Sequence, residues 1–181
     1  MQLPILFGTP LWHFRETLPK GAYQWAIKYA KKNPESAVKS NRGGYQSIQQ
    51  SIDILPYKDY LYKTLVNNFP PLEEFKIDGW WLNINEKGNY NIPHTHPGTD
   101  LAGIWYITDN EGLLYFQDPL ITTRSNIYER IYSNWNESSN KSMRCSAGDI
   151  LIFPSDVPHN VEEHKLNTPR ISVSFNMVAK F

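Results

Sequence analysis

Only one cysteine, Cys145, occurs in the 181 residues, so an internal disulfide is impossible and a disulfide-stapled secreted scaffold is excluded. A lone thiol fits a reducing compartment, and a soluble cytoplasmic protein is the expectation. No apolar run approaches the roughly 20 residues of a membrane span. The first sixteen residues, MQLPILFGTPLWHFRE, hold a short apolar stretch broken by Pro4, Gly8 and Pro10, with no basic leader region. An excess of either charge is missing too, since Lys plus Arg and Asp plus Glu both number 18. No net field draws such a chain onto a polyanion or an acidic membrane, so neither bulk nucleic-acid coating nor membrane binding is expected.

What is present fits a single domain over 1–181. With 40% apolar residues, a chain of this length removes roughly 70% of its unfolded surface from water on folding, which excludes intrinsic disorder. Residues 1–70 read as an N-terminal helical part. In GAYQWAIKYAKK (21–32), Ala22, Trp25, Ala26 and Tyr29 recur at helical spacing; in PYKDYLYKTLVNNF (56–69), Tyr60, Leu61, Leu65 and Phe69 do the same. The paired glycines of NRGGYQS (41–47) mark a turn or a close backbone approach, and Pro70-Pro71 closes the helical part.

Residues 71–181 have a different texture. Short apolar or alternating runs, IDGWWLNIN, LAGIWYIT, GLLYFQ, DILIF and RISVSFNMV, are separated by turn residues and dominated by aromatic and β-branched side chains. The expected fold class is mainly β, a sandwich or jelly roll of antiparallel strands with N-terminal helices. A polar insertion at about 121–143 interrupts it, too long for an ordinary hairpin loop, with a short strand expected at Ile127 to Tyr132. Its Arg124, Tyr128, Arg130, Tyr132 and Trp135 suit recognition of a polar or aromatic substrate group. The alternatives are an edge strand or a self-association surface, which would make a homodimer.

Five histidines are present. In NIPHTHPG, His94 and His96 stand two apart, so on an extended segment both imidazoles reach the same side and can share one metal. The pair alone fits a buried or solvent-facing pair equally well. His159, in GDILIFPSDVPHNV, adds a third imidazole at the entry to another strand, whereas His13 and His164 lack such a setting and read as ordinary surface or structural residues. In RISVSFNMV one face carries Ile171, Val173, Phe175 and Met177 and the other Arg170, Ser172, Ser174 and Asn176. That polar face either meets water or lines a cavity in which arginine and small serines leave room for an anion. Trp80, Trp81 and Trp105 are expected as core or pocket walls, core being favoured.

The ordered set HxHPG, LAGIWYI, GLLYFQDP, GDILIFPSDVPH and RISVSFN, over roughly residues 76–178, resembles the 2-oxoglutarate and Fe(II)-dependent oxygenases. It is most similar to a group of such proteins often encoded by phages, which also carry a match to SNRGGYQS; for a phage protein the location would be the host cytoplasm. The resemblance implies a cupin-like double-stranded β-helix, Fe(II) and 2-oxoglutarate as cofactors, O2 as cosubstrate and a dioxygenase activity, an oxidoreductase of hydroxylase type. Carried over, His94 is the first metal ligand and His159 the distal one, while Arg170 and Ser172 clamp the far carboxylate of 2-oxoglutarate with help from Tyr106. His96 stands where the family has a carboxylate, so the expected site is three histidines, with Asp118 or Asp100 as candidates for an additional ligand. Alternatively His96 is the first ligand and Gly98 holds the carboxylate position, as in related halogenases. Two other readings stay open: a cupin-like metal-binding protein without 2-oxoglutarate, and a non-catalytic virion-associated structural or binding module. Protein side chain, nucleobase and small metabolite are all open as primary substrate.

Overall fold

The helical spacing of Ala22, Trp25, Ala26 and Tyr29 is realised as α1 (Ala22–Lys32), and the second helical pattern as α2 (Lys58–Asn68). α1 starts after Gly21 in the left-handed region and ends with Lys31 and Lys32 in its last turn, where cations meet the negative end of the helix dipole. The computed structural model describes residues 8–109, 112–119 and 140–180. Arg124, Tyr128, Arg130, Tyr132, Trp135 and the strand expected at Ile127 to Tyr132 lie outside the described residues.

Eleven described strands follow the chain as β1 (Trp12–Arg15), β2 (Asn41–Arg42), β3 (Tyr45–Gln46), β4 (Phe75–Asn85), β5 (Tyr90–His94), β6 (Leu101–Tyr106), β7 (Leu114–Gln117), β8 (Asn140–Met143), β9 (Asp149–Pro154), β10 (His159–Val161) and β11 (Arg170–Ala179). They form two antiparallel sheets, a larger one in the order β1-β9-β6-β11-β4-β3 and a smaller one in the order β2-β5-β10-β7-β8. This is the mainly β, double-stranded β-helix architecture, with few helices. Three strands fall inside the stretch that reads as helical. Four residues or fewer in length, they carry too little alternation to stand out from loop sequence.

The larger sheet is covered on both faces, which explains why β6 and β9 are continuously apolar, while β11 alternates because its polar face lines a cavity. On one face α1 and α2 contribute Ala22, Ala26, Leu61 and Leu65 to a core shared with Trp80, Leu82, Trp105, Val173, Phe175 and Met177. Rings do much of that packing: Trp25 and Tyr29 of α1 lie 5.8 and 5.4 Å from Trp80, and Tyr60 of α2 lies 5.3 Å from Trp105. The other face meets the smaller sheet through a second cluster that includes Ala102, Ile104, Tyr106, Leu114, Phe116, Cys145, Phe153 and Val161. Beside that second cluster the two sheets part around a cavity of about 480 Å³. No helix among the described residues is long and apolar enough to cross a membrane.

Candidate metal and cosubstrate site

Strand pairing brings the first two histidines together. His94, the last residue of β5, is the registered partner of His159, the first residue of β10. His96 lies two residues beyond β5, where its backbone N–H donates to Ser155 O at 2.9 Å. Ring centroids are 4.2 Å apart for His94 and His159, 5.3 Å for His94 and His96, and 5.1 Å for His96 and His159. One ligand nitrogen from each comes within 4.8 Å of the other two.

Each ring is oriented by an oxygen on its Nδ1. His94 Nδ1 lies 2.9 Å from Ile92 O, His159 Nδ1 2.9 Å from Val157 O, and His96 Nδ1 2.8 Å from Asn176 Oδ1. Carbonyl oxygens only accept, so the protons sit on Nδ1 and the Nε2 lone pairs are free, the usual outer support of metal-binding imidazoles. Burial pushes all three histidines down from the ordinary imidazole range, His159 to about 3, and so keeps them neutral. His96 Nε2 and His159 Nε2 then face one another at 3.3 Å with no proton between them. Two lone pairs in that position repel unless a cation lies between. Bonds of about 2.1 Å to one ion set neighbouring donor nitrogens about 3 Å apart, so the donor set fits a first-row divalent metal.

Of the carboxylates considered from sequence, Asp100 accepts from the backbone N–H of Ala179 at 2.8 Å. Asp118 is half-buried beyond β7, and the cluster contains no carboxylate of a described residue. Gly98 occupies a turn at φ 84°. His13 meets Asp149 at 3.2 Å, and His164 is buried with Nε2 2.6 Å from Thr168 O; neither belongs to the cluster.

The alternating face of β11 turns into the cavity. Arg170, Ser172, Ser174 and Asn176 all line it and all are buried. Alternation reveals that these four share a face; only the second sheet decides that a cavity, and not water, faces them. Arg170 is 4% exposed, and among the described residues only the Nη2 of its guanidinium has a partner, Asn91 Oδ1 at 3.4 Å, while Nε and Nη1 have none. Burial pulls its pKa down, opposed by nearby Tyr106 and Cys145, yet a guanidinium stays charged. A buried cation without a counter-charge is costly, so this end of the cavity is suited to an anion. Ser172 is the registered partner of Tyr106, whose buried hydroxyl bonds the Cys145 thiol; burial raises both groups, the thiol to about 11.

A family model described as "Putative 2OG-Fe(II) oxygenase" matches residues 79–176. The chain belongs to the 2OG-Fe(II) oxygenase family. No curated protein matches this oxygenase. Among solved structures it is similar to the non-heme α-ketoglutarate-dependent carbocyclase SnoK from nogalamycin biosynthesis, at 11% identity and a TM-score of 0.67 over 94% of this chain and 80% of that one. A prolyl-4-hydroxylase of Pseudomonas putida gives 12% identity and 0.64 over 96% and 94%. HygX of Streptomyces hygroscopicus, with nickel and 2-oxoglutarate bound, gives 9% identity and 0.60 over 96% and 84%. These likenesses show the double-stranded β-helix fold. The oxygenase is a dioxygenase whose cofactor is iron and whose cosubstrates are 2-oxoglutarate and O2.

Asn176, Asn83, Gln46 and Trp81 also line the cavity. The first stands out in sequence only as a member of the polar β11 face, and Gln46 only as part of the glycine turn. Trp80 and Trp105 are core at 0% exposure, whereas Trp81, next in sequence to Trp80 and on the opposite face of β4, is a cavity wall.

Proposed function

We propose that His94, His96 and His159 together hold the iron, and that Arg170, with Ser172 and Tyr106, holds the far carboxylate of 2-oxoglutarate. The observation that carries the reading is the convergence of three Nε2 lone pairs, each freed by an acceptor on Nδ1. Iron and 2-oxoglutarate, once bound, would activate O2, which is the oxidant: one oxygen atom would end in succinate as the keto acid loses carbon dioxide, and the other on the oxidised substrate carbon. The chain's own work is placement. Neutral imidazoles offer three nitrogen donors without a proton to displace, and the Arg170 fork meets a carboxylate from inside the sheet sandwich. Phe116 and Phe153, with ring centroids 6.3 and 4.8 Å from that of His159, keep water from the back of the cluster.

Deep burial of Arg170 favours this reading over a cupin-like metal protein without 2-oxoglutarate, where the residue would be free to lie at the surface. The buried single thiol supports a cytoplasmic setting. The test is metal stoichiometry by equilibrium dialysis with Co(II). Wild-type protein is expected to bind one ion per chain; His94→Ala, His96→Ala and His159→Ala are expected to lose stoichiometric binding while keeping the far-UV circular dichroism of the folded chain. Full Co(II) occupancy in any of the three removes that residue from the ligand set.

A further inference from the structure

The paired glycines of NRGGYQS carry the chain from the smaller sheet to the larger one, since β2 belongs to the first and β3 to the second. Gly43 and Gly44 have φ of 65° and 66°, the left-handed region that glycine enters without cost. A Cβ on Gly44 would stand 3.0 Å from Ile84 O and 2.9 Å from Asn85 Oδ1. This tight crossing sets β3 in register on β4 with Gln46 opposite Asn83. Asn83 is opposite Ser172, and Ser172 opposite Tyr106. The four residues thus make one row across the larger sheet on the cavity side, running from the cosubstrate clamp to the far wall. Tyr45 points the other way and donates its hydroxyl to Asn33 O at 2.7 Å.

Gln46 is 8% exposed and lines the cavity, yet its side-chain amide hydrogen-bonds no described residue; only its backbone does, with Ser36 Oγ and Ala37 N–H. Asn83 uses Nδ2 on Ser174 Oγ at 3.0 Å, which leaves Oδ1 as an acceptor. Two residues back along β4, the half-buried Trp81 ring lies 5.5 Å from the His96 ring at an angle of 31°. With no partner among the described residues, the Gln46 amide opens on the cavity and offers a donor and an acceptor to a group that enters it.

We infer that Gln46, Asn83 and Trp81 form the subsite for the primary substrate, and that it takes a planar amide edge laid against the indole. This rests on the reading of the three histidines as the metal site and Arg170 as the clamp, which leaves this wall for the substrate. A carboxamide donates and accepts from adjacent atoms, the complement of another amide, and none of the three residues carries a charge that would favour an ion. The indole supplies a flat apolar face for the attached ring or plane.

The test is ligand-observed saturation-transfer NMR on metal-free protein and on protein loaded with Zn(II) and 2-oxoglutarate. The probes are uracil, N-acetylglycinamide, 1,3-dimethyluracil and cyclohexanol. At least one of uracil and N-acetylglycinamide is expected to bind about tenfold more tightly than 1,3-dimethyluracil, which keeps the ring and loses the N–H donors, and than cyclohexanol. Tighter binding of uracil identifies a ring lactam as the source of the amide edge, and tighter binding of N-acetylglycinamide a peptide-type amide. Gln46→Leu should weaken the amide probes about tenfold, with 2-oxoglutarate affinity in the Co(II)-loaded protein unchanged within about twofold. Equal binding of 1,3-dimethyluracil, equal binding of the amide probes to Gln46→Leu, or no amide probe binding overturns the inference. Should Gln46→Leu fail to fold, the comparison of uracil with its dimethyl analogue on wild-type protein decides. Failure of the protein to bind Co(II) would overturn the metal assignment instead, and the metal-free arm would still test the subsite.

Discussion

At the scale of single residues, the buried charged groups Asp149 and Arg170 do opposite things. Asp149 is fully buried at the start of β9, accepting from Arg15 Nε at 2.6 Å, Arg15 Nη2 at 3.0 Å and Ser146 N–H at 2.6 Å, with His13 at 3.2 Å. Burial pushes its pKa up, but those hydrogen bonds outweigh it and hold the carboxyl below its ordinary range. A carboxyl with a folded pKa below its unfolded value of about 3.9 adds stability at higher pH, and that stability is lost as pH falls through the folded pKa. Asp149→Asn should therefore lower stability at pH 7 by about 1 to 3 kcal/mol and flatten the acid limb of the stability profile, measured by urea unfolding from pH 7 down to pH 3. An unchanged acid limb would mean that another group governs it. Arg170 has no such partner among the described residues, and in the proposed function it takes one from outside. Arg170→Lys replaces a planar fork by a point charge and should weaken 2-oxoglutarate about 10- to 100-fold in calorimetric titration, with Co(II) affinity unchanged. A lysine variant that binds 2-oxoglutarate as wild type would remove the clamp.

Among the elements, β11 does the most to join fold and site. One face packs Ile171, Val173, Phe175 and Met177 against the helices, and the other presents Arg170 at the cosubstrate end and Asn176 at His96. Six residue steps of extended strand set the two about 20 Å apart between Cα atoms, so the strand fixes their relative placement like a ruler. Its neighbour β6 must come close: a Cβ on Gly103 would run into the Phe175 ring. Gly103→Ala should cost about 1 to 3 kcal/mol through overpacking, read as a lowered thermal midpoint. A midpoint equal to wild type would show that Phe175 has room to move. The alternation of β11 and the helical spacing of α1 were legible because both extend over ten residues or more and bury one face. β1, β2 and β3 were not, because strands of two to four residues take their place from pairing partners that lie far away in sequence, such as Asp149 for Arg15 and Asn83 for Gln46.

For the molecule as a whole, a sandwich or jelly roll could be read from the spacing of short apolar runs, the double-stranded β-helix from the family resemblance, and the candidate histidine set from HxH plus a distant His. Two features of the site depend on tertiary packing and left no sequence pattern. One is the neutral state of the imidazoles, which follows from burial between the sheets. The other is the lack of a counter-charge for Arg170 among the described residues, which follows from the composition of the cavity wall. Together they support the central proposal: metal and 2-oxoglutarate bind one cavity, the metal through three histidines and the keto acid through Arg170. A ligand that binds only the folded state raises stability by RT ln(1 + [L]/Kd), about 4 kcal/mol at 1,000 times Kd, and a domain of this size gains about 2 to 4 °C in thermal midpoint per kcal/mol. The direct test is the thermal midpoint under anaerobic conditions with Fe(II), with 2-oxoglutarate, and with both, for wild type and His159→Ala. We predict a rise of roughly 8 to 16 °C for wild type with both ligands near 1,000 times Kd, a rise with 2-oxoglutarate that is larger when Fe(II) is present, and neither response in His159→Ala. A wild-type midpoint that 2-oxoglutarate leaves unmoved in the presence of Fe(II), or a His159→Ala midpoint that rises as much as wild type, would contradict it.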